Sequence, residues 1–198
     1  MLGHNFWEKY FRGAKMCYFI TATLPQDTNL TKLKTIIKQY EMGFAPLINS
    51  SVIQQLPAGN LYFTATKAHC DCDTVLGCEL QTESQDVSDN SDIKRLRKKG
   101  WSQSKIDRWL TEKEQSREAE KLEQKQKNKA EAQRWLGFIK DMLILGKVSH
   151  IGILKHLYGG DIEKEKFIIC DTVNIGISQT TIDYLFTLKE DTLYMFLR

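Results

Sequence analysis

The chain has 198 residues, of which 41% are hydrophobic and 27% charged, and its formal net charge is +3. This length suits one domain with a core of its own, and no apolar run reaches the roughly 18 residues that a membrane-spanning helix needs, so we exclude a membrane protein. Residues 1–15 lack the apolar segment of a signal peptide, which predicts a cytoplasmic protein whose five cysteines are reduced.

The first half of the chain predicts two good strands and a capped helix after a detachable N-terminal segment, residues 1–15. A β-branched and aromatic run over 17–24 predicts a buried strand. Asn29 can cap a helix whose apolar residues recur at three- and four-residue spacing, and Gly43 would end it. Three further elements are expected: a weak strand over 44–48, a short helix over 50–56 and a good strand over 61–66.

The middle of the chain has a different composition. Residues 91–134 hold fourteen Lys or Arg and eight Asp or Glu, a net charge of +6 that leaves −3 for the rest of the chain. Together with the polar, turn-rich run before it, this composition predicts a linker and a basic, solvated helical insertion over 81–134. We expect helices over 93–99 and from Gln103 onward, with a break allowed near Asn128.

Apolar periodicity returns at Trp135. A stripe of large side chains at helical spacing predicts that the long helix docks on the core here and ends at Gly146. A strand over 148–158 should follow, joined by a Gly-Gly turn to a hairpin partner over 166–173. The chain should end with a helix capped by Ser178 and a strand over 192–197.

Helices and strands do not alternate strictly in this order of elements. The order therefore predicts an α+β fold, with a mostly antiparallel sheet and packed helices, interrupted by a long basic helical insertion. The core would comprise residues 16–80 and 135–198, and the polar linker with the insertion would occupy 81–134.

The densest group of metal-ligating and nucleophilic side chains follows the second good strand. Cys70 and Cys72 have the same parity, so they point to one side of an extended segment. A turn after them would bring Cys78 back, and His69 would be the fourth ligand, with the distant His150 as its alternative. Thiolates and imidazole suit zinc, so the pattern predicts a zinc site made of Cys70, Cys72, Cys78 and His69.

Two other interpretations of the same cysteines stay open. The Cys-x-Cys pair could be a redox pair or hold one reactive thiolate, with His69 lowering the thiol pKa. Alternatively, the cysteines could be small core residues at the end of a strand. The spacing differs from the paired C-x₂₋₄-C segments of structural zinc sites, so it does not decide among the three.

Met16 and Cys17, followed by a hydrophobic strand, resemble the start of the N-terminal-cysteine amidotransferases, in which the Met is removed and the Cys becomes the nucleophile. The resemblance implies an N-terminal-cysteine amidohydrolase if the mature chain begins at Cys17. Tyr18 stands where those enzymes usually have Gly.

Residues 98–110 resemble the middle of a helix-turn-helix, in which a Gly turn and a capping Ser precede a helix with its apolar residues inward. The resemblance implies contact with DNA. In this chain the helix runs on into a charged stretch where a second turn and a recognition helix would be expected.

Two classes of function follow. The first is a small cytosolic protein whose Cys/His site at 69–78 binds zinc or carries a reactive thiolate. The second is a non-enzymatic interaction module that contacts an acidic protein or nucleic acid through residues 91–134. No nucleotide-binding or hydrolase motif is present, so the sequence names no substrate or reaction and we make no claim of enzymatic activity.

Limited proteolysis tests this domain layout. The first cuts should fall within 82–92 or 111–133, because exposed segments outside a packed core are the easiest for a protease to enter. Mass spectrometry of the first fragments locates the cuts. First cuts inside 148–173, which we place in the core, would contradict the layout.

Overall fold

The computed structural model describes residues 16–66, 69–77 and 88–198. The N-terminal segment, most of the linker and Cys78 therefore lie outside the described residues. No helix among those described is long and apolar enough to cross a membrane. In chain order the elements are β1 (Cys17–Pro25), α1 (Leu30–Gln39), β2 (Ala45–Pro46), α2 (Ser50–Ile53), β3 (Asn60–Thr64), α3 (Ser88–Lys98), α4 (Gln103–Ile144), β4 (His150–Tyr158), β5 (Asp171–Gly176), α5 (Ile182–Phe186) and β6 (Thr192–Leu197).

The strands form one mixed sheet in the order β2-β3-β1-β4-β6-β5. Four of the neighbouring pairs are antiparallel, and β5 runs parallel to β6. The described chain contains this sheet and five helices, so the predicted α+β class is confirmed.

The chain divides into two compact units, Met1–Cys78 with Glu131–Arg198, and Glu79–Ala130. The first unit contains the sheet and the last part of α4. The second contains α3 and the first part of α4. The layout expected from composition, with a core of 16–80 and 135–198 and an insertion over 81–134, stays a prediction as a statement about domains.

One face of the sheet is covered by helices. Even-numbered residues of β1 point to this face, where Ile20, Ala22 and Leu24 are fully buried. The last turns of α4 pack in the same cluster, as the apolar stripe predicted. The stripe residues are each at most 2% exposed: Trp135, Phe138, Ile139, Met142 and Leu143.

The other face is covered by α2 and by the segment 162–169. Tyr62 of β3 and Leu154 of β4 pack there against Val52. Asn49 holds this layer together, because its amide oxygen caps α2 and its Nδ2 donates to the carbonyl of Ile162 at 3.0 Å. Because the buried amide of Asn49 makes all of these hydrogen bonds, it fixes the position of the segment 162–169 relative to α2.

The predicted start of α1 is confirmed, and its predicted end is wrong. The Asn29 side chain accepts a hydrogen bond from the Lys32 amide at 3.1 Å, as an N-cap should. The helix ends at Gln39 rather than at Gly43. Glu41 takes the left-handed conformation, with a φ of 55°, and so ends the helix before the glycine is reached.

The long helix has no break near Asn128. It runs without interruption through α4, because side chains one turn apart hold this stretch. The amide of Gln124 donates to Asn128 Oδ1 at 2.8 Å, and Lys127 pairs with Glu123 at 2.7 Å. Pairs at this spacing stabilise a solvated helix.

The predicted hairpin between 148–158 and 166–173 is wrong. Both edges of β4 are taken, by β1 and by β6, so no third strand can join it. After the turn, the carboxylate of Glu165 accepts the amides of Gly159 and Gly160 and directs the chain onto the second face of the sheet. The chain reaches the sheet again only as β5, beside β6.

A pair of substitutions in α4 tests where its core contacts end. Phe138→Ala removes a fully buried ring and should cost about 3–5 kcal/mol, which lowers the melting temperature by roughly 10 °C or more. The control Leu122→Ala changes a side chain that is 59% exposed and should leave the melt nearly unchanged. Equal effects of the two variants in circular-dichroism melts would contradict this packing.

Candidate metal site

The candidate site lies where β1 extends beyond the end of β3. β3 pairs with β1 only from Thr21 to Pro25, which leaves the first residues of β1 without a strand on that side. The loop 69–77 takes the empty place, and its Asp71 amide donates to the Tyr18 carbonyl at 2.8 Å. The loop thereby lies beside Cys17, the first residue of the strand.

Three sulfur atoms meet at this point. The thiols of Cys17, Cys70 and Cys72 lie within 4.8 Å of one another, and each residue is half-buried. All three are free thiols. Tetrahedral zinc with Zn–S bonds of about 2.3 Å needs sulfur atoms about 3.8 Å apart, so a small movement of the side chains would suffice.

Asp71 fixes the shape of the loop between the two cysteines. Its carboxylate accepts hydrogen bonds from the Ile20 amide at 2.7 Å and from the Thr66 hydroxyl. Its carbonyl accepts both the amide and the hydroxyl of Thr74. Gly77 packs so closely that a Cβ there would lie 2.0 Å from the Asp71 carbonyl oxygen. The loop that presents Cys70 and Cys72 is therefore held from both sides.

Burial also changes the acidity of this aspartate. Asp71 is only 2% exposed, and burial raises its pKa to about 6. The hydrogen bonds from Thr66 and Ile20 partly offset the shift, and the charge of Glu131 adds to it. Glu131 is close because its carboxylate accepts the amide of Val75 in the same loop.

The thiols of Cys17 and Cys70 hold their protons in the absence of metal. Burial, reinforced by the neighbouring sulfur atoms of Cys70 and Cys72, raises the pKa of Cys17 to about 11, and burial raises the pKa of Cys70 as well. A reactive thiolate needs a lowered pKa, so this environment disfavours a reactive thiolate at Cys17 or at Cys70. The Tyr18 amide donates to Cys72 Sγ at 3.3 Å, a contact that also suits a metal-bound thiolate.

Of the residues that the sequence proposed as ligands, the structure brings Cys70 and Cys72 together. His69 is exposed and is not among the three residues that meet here. Cys78 lies outside the described residues. The distant His150 points elsewhere, because its Nε2 lies 2.7 Å from Asn60 Oδ1.

Sequence reasoning missed Cys17 as a partner of this pair. It considered Cys17 as a buried strand residue or as an N-terminal nucleophile, and the second interpretation stays a prediction. The one available signal was that Cys17 opens a buried strand, but nothing local in the sequence places the loop at 69–77 against that strand.

A second polar group surrounds His156 in β4. Its ring is buried and stacks on Phe167 at 3.6 Å, and its Nδ1 lies 2.5 Å from Asp191 Oδ1. Its Nε2 faces Glu165 Oε1 at 3.5 Å. Glu190 completes a set of possible ligands within 4.8 Å, but the Asp191 contact already occupies Nδ1. We interpret this group as a polar anchor for the covering segment, made by the contact of His156 with Asp191 and its stacking on Phe167.

Comparisons with protein-family models, with curated proteins and with solved structures give no significant match to this chain. The functional argument is therefore carried by the geometry of the site.

The buried aspartate predicts a pH dependence of stability in chelator-treated, metal-free protein. The pKa of Asp71 is about 6 in the folded chain and about 3.9 when unfolded, so the folded state binds its proton more tightly. The stabilisation is complete below pH 3.9 and is lost as the pH rises through 6. Asp71→Asn does not titrate, so wild type should gain about 3 kcal/mol relative to this variant between about pH 7 and pH 4.

Urea unfolding at several pH values measures this difference. The control Asp73→Asn removes an exposed carboxylate from the same loop and should keep the wild-type pH profile. Parallel profiles for wild type and Asp71→Asn would show that Asp71 has an ordinary pKa.

Proposed function

We propose that this protein binds a zinc-class metal ion through the thiolates of Cys17, Cys70 and Cys72. The observation that supports the proposal is the convergence of three sulfur atoms, within 4.8 Å of one another, from a strand and a loop that are far apart in sequence. Thiolates are the preferred ligands of zinc and of Cu(I), whereas hard ions such as Mg²⁺ prefer oxygen. The cluster contains no oxygen ligand.

A metal accounts for the arrangement better than the other two interpretations do. A disulfide would use two of the sulfur atoms and leave the third without a role. Structural cysteines have no reason to converge, because thiols form only weak hydrogen bonds with one another. A bound ion displaces the protons and gives all three sulfur atoms the same role.

Three protein ligands leave the fourth position of a tetrahedral ion to be filled. The sequence predicts Cys78 as a third ligand and His69 as a fourth, and both stay candidates for the position that Cys17, Cys70 and Cys72 would leave. A fourth protein ligand would make the site closed and structural, whereas a water molecule there would leave it open for chemistry. In either case the ion would tie the first residue of β1 to the loop 69–77, so metal-binding energy would stabilise the fold.

Elemental analysis tests the proposal on protein purified without a chelator or a His-tag. We expect stoichiometric zinc or copper in wild type and its loss in Cys17→Ser, Cys70→Ser and Cys72→Ser. Cys170→Ser is the matched control, because this cysteine is exposed and lies outside the cluster, so its variant should keep the metal. Cys78→Ser and His69→Ala then identify the fourth ligand.

Thermal melts with a chelator separate metal binding from simple packing. Free zinc at about a thousandfold above its dissociation constant stabilises a protein by about 4 kcal/mol, which is roughly 8–16 °C in melting temperature. A chelator should produce a shift of this size in wild type and in Cys170→Ser, and almost none in Cys17→Ser. Metal-free wild-type protein with a melt that ignores both chelator and added zinc would refute the proposal.

A second candidate function is supported by the second unit. Its long helix exposes charged and polar side chains over most of the stretch 111–130. Such a helix has little apolar surface to bury on its own chain. This favours a non-enzymatic interaction module that contacts an acidic protein or nucleic acid through residues 91–134.

A further inference from the structure

We infer that the helical hairpin 94–108 is a binding surface for the phosphate backbone of nucleic acid. The inference rests on the second candidate function and adds both the partner and the position of the contact. It is independent of the metal site.

The positive charge of the second unit is concentrated in this hairpin. Residues 94–108 contain seven Lys or Arg and one acidic residue, Asp107. The remainder of 91–134 contains seven basic and seven acidic residues, and so it is neutral. The whole excess of +6 thus belongs to the end of α3, the turn and the first turns of α4.

The fold exposes every one of these cations. Leu96 and Ile106 are buried and hold the two helices of the hairpin, and Gly100 makes the turn with a φ of 77°. The basic side chains all lie on the exposed surface: Lys94, Arg95, Arg97, Lys98, Lys99, Lys105 and Arg108.

Few of these charges are neutralised within the described part of the unit. Arg95 pairs with Asp92 at 3.0 Å, but Lys94, Lys98 and Lys99 have no ion pair with a described residue. Lys94 and Lys98 are one helical turn apart, and like charges at that spacing destabilise a helix by a few tenths of a kcal/mol. A polyanion bound along this face would relieve the repulsion.

The composition of the surface favours phosphate over a protein partner. The exposed residues of 94–108 are charged, polar or glycine, and the apolar Leu96 and Ile106 point inward. A protein interface usually has an apolar or aromatic centre. Phosphate binding needs only cations, and each contact releases condensed counterions. The partly exposed Trp101, with Lys105 over its ring at 4.1 Å, adds an aromatic surface among the cations.

Fluorescence anisotropy with the full chain tests the inference, using a short mixed-sequence DNA duplex and, separately, a single-stranded RNA. If about five phosphates are contacted, log K against log salt should have a slope of about −4.5 for the duplex and about −3.5 for the single strand. Between about 50 and 200 mM salt, affinity should then fall about 500-fold for the duplex and about 130-fold for the single strand. Comparing the two probes shows whether duplex or single strand is preferred. Binding to either, with this salt dependence, supports the inference.

Matched variants locate the contact. Lys98→Gln, Lys99→Gln and Arg108→Gln together should reduce the slope by about 3. The triple variant Lys121→Gln, Lys125→Gln and Lys129→Gln removes the same charge from exposed positions of the neutral stretch and should bind almost as wild type. Circular-dichroism melts confirm that both variants fold. Equal losses in the two variants would overturn the assignment to the hairpin.

A third probe, polyglutamate, distinguishes nucleic acid from an acidic protein as the partner of the hairpin. Binding of polyglutamate as tight as that of nucleic acid would overturn the nucleic-acid inference and leave an interaction module for acidic proteins. Absence of binding to all three probes at low salt would overturn the inference and the second candidate function together.

Discussion

The carboxylate of Asp71 makes the interaction on which the described core and its thiol site both depend. β1 extends beyond β3, and an unpaired strand edge beside a core would leave amide and carbonyl groups without partners. Asp71 pairs with one backbone group of each kind. Its amide donates to the Tyr18 carbonyl, and its carboxylate accepts from the Ile20 amide. Burial of the carboxylate costs solvation, and the raised pKa is the sign of that cost. The convergence of Cys17, Cys70 and Cys72 follows from this edge contact, since the two loop cysteines flank the residue that makes it.

The last part of α4 supports the same loop from the other side. Glu131 accepts the amide of Val75, and the apolar stripe that begins at Trp135 fills the large core. The helix thus changes character along its length. Its first part has mixed charges and is stabilised by pairs such as Glu123 with Lys127, whereas its last part is stabilised by burial. One continuous helix can therefore serve an exposed surface and a packed core without any special residue at the junction.

Most features that the sequence predicted correctly are local, whereas the strand pairing and the cysteine cluster that it missed depend on contacts distant in sequence. The Asn29 cap, the apolar stripe from Trp135 and the α+β class each depend on residues within a few turns or on composition. The pairing of β5 with β6 depends on which strand edges are already paired, and hydrophobic periodicity does not indicate the pairing of edges. The position of Cys17 beside Cys70 depends on an edge left open by the short β3. Side chains alternate in an extended segment, so the sequence could indicate that Cys70 and Cys72 point to the same side. The alternation could not indicate which residue lies opposite them.

The His156 group and the cysteine cluster of the first unit differ in how far their possible ligand atoms already have partners within the protein. In the His156 group, Asp191 engages Nδ1 and Phe167 covers the ring. The buried Nε2 has no hydrogen-bond partner among the described residues and lies 3.5 Å from Oε1 of Glu165, whose oxygens accept two glycine amides. The sulfur atoms face mainly each other, and the Tyr18 amide is the donor from outside the cluster that the structure records. Thiols are weak hydrogen-bond donors and acceptors, so this mutual contact contributes little by itself. The Nδ1 of His156 already has a carboxylate partner, whereas all three sulfur atoms could turn to an ion, so we place the proposed ion at the cysteines.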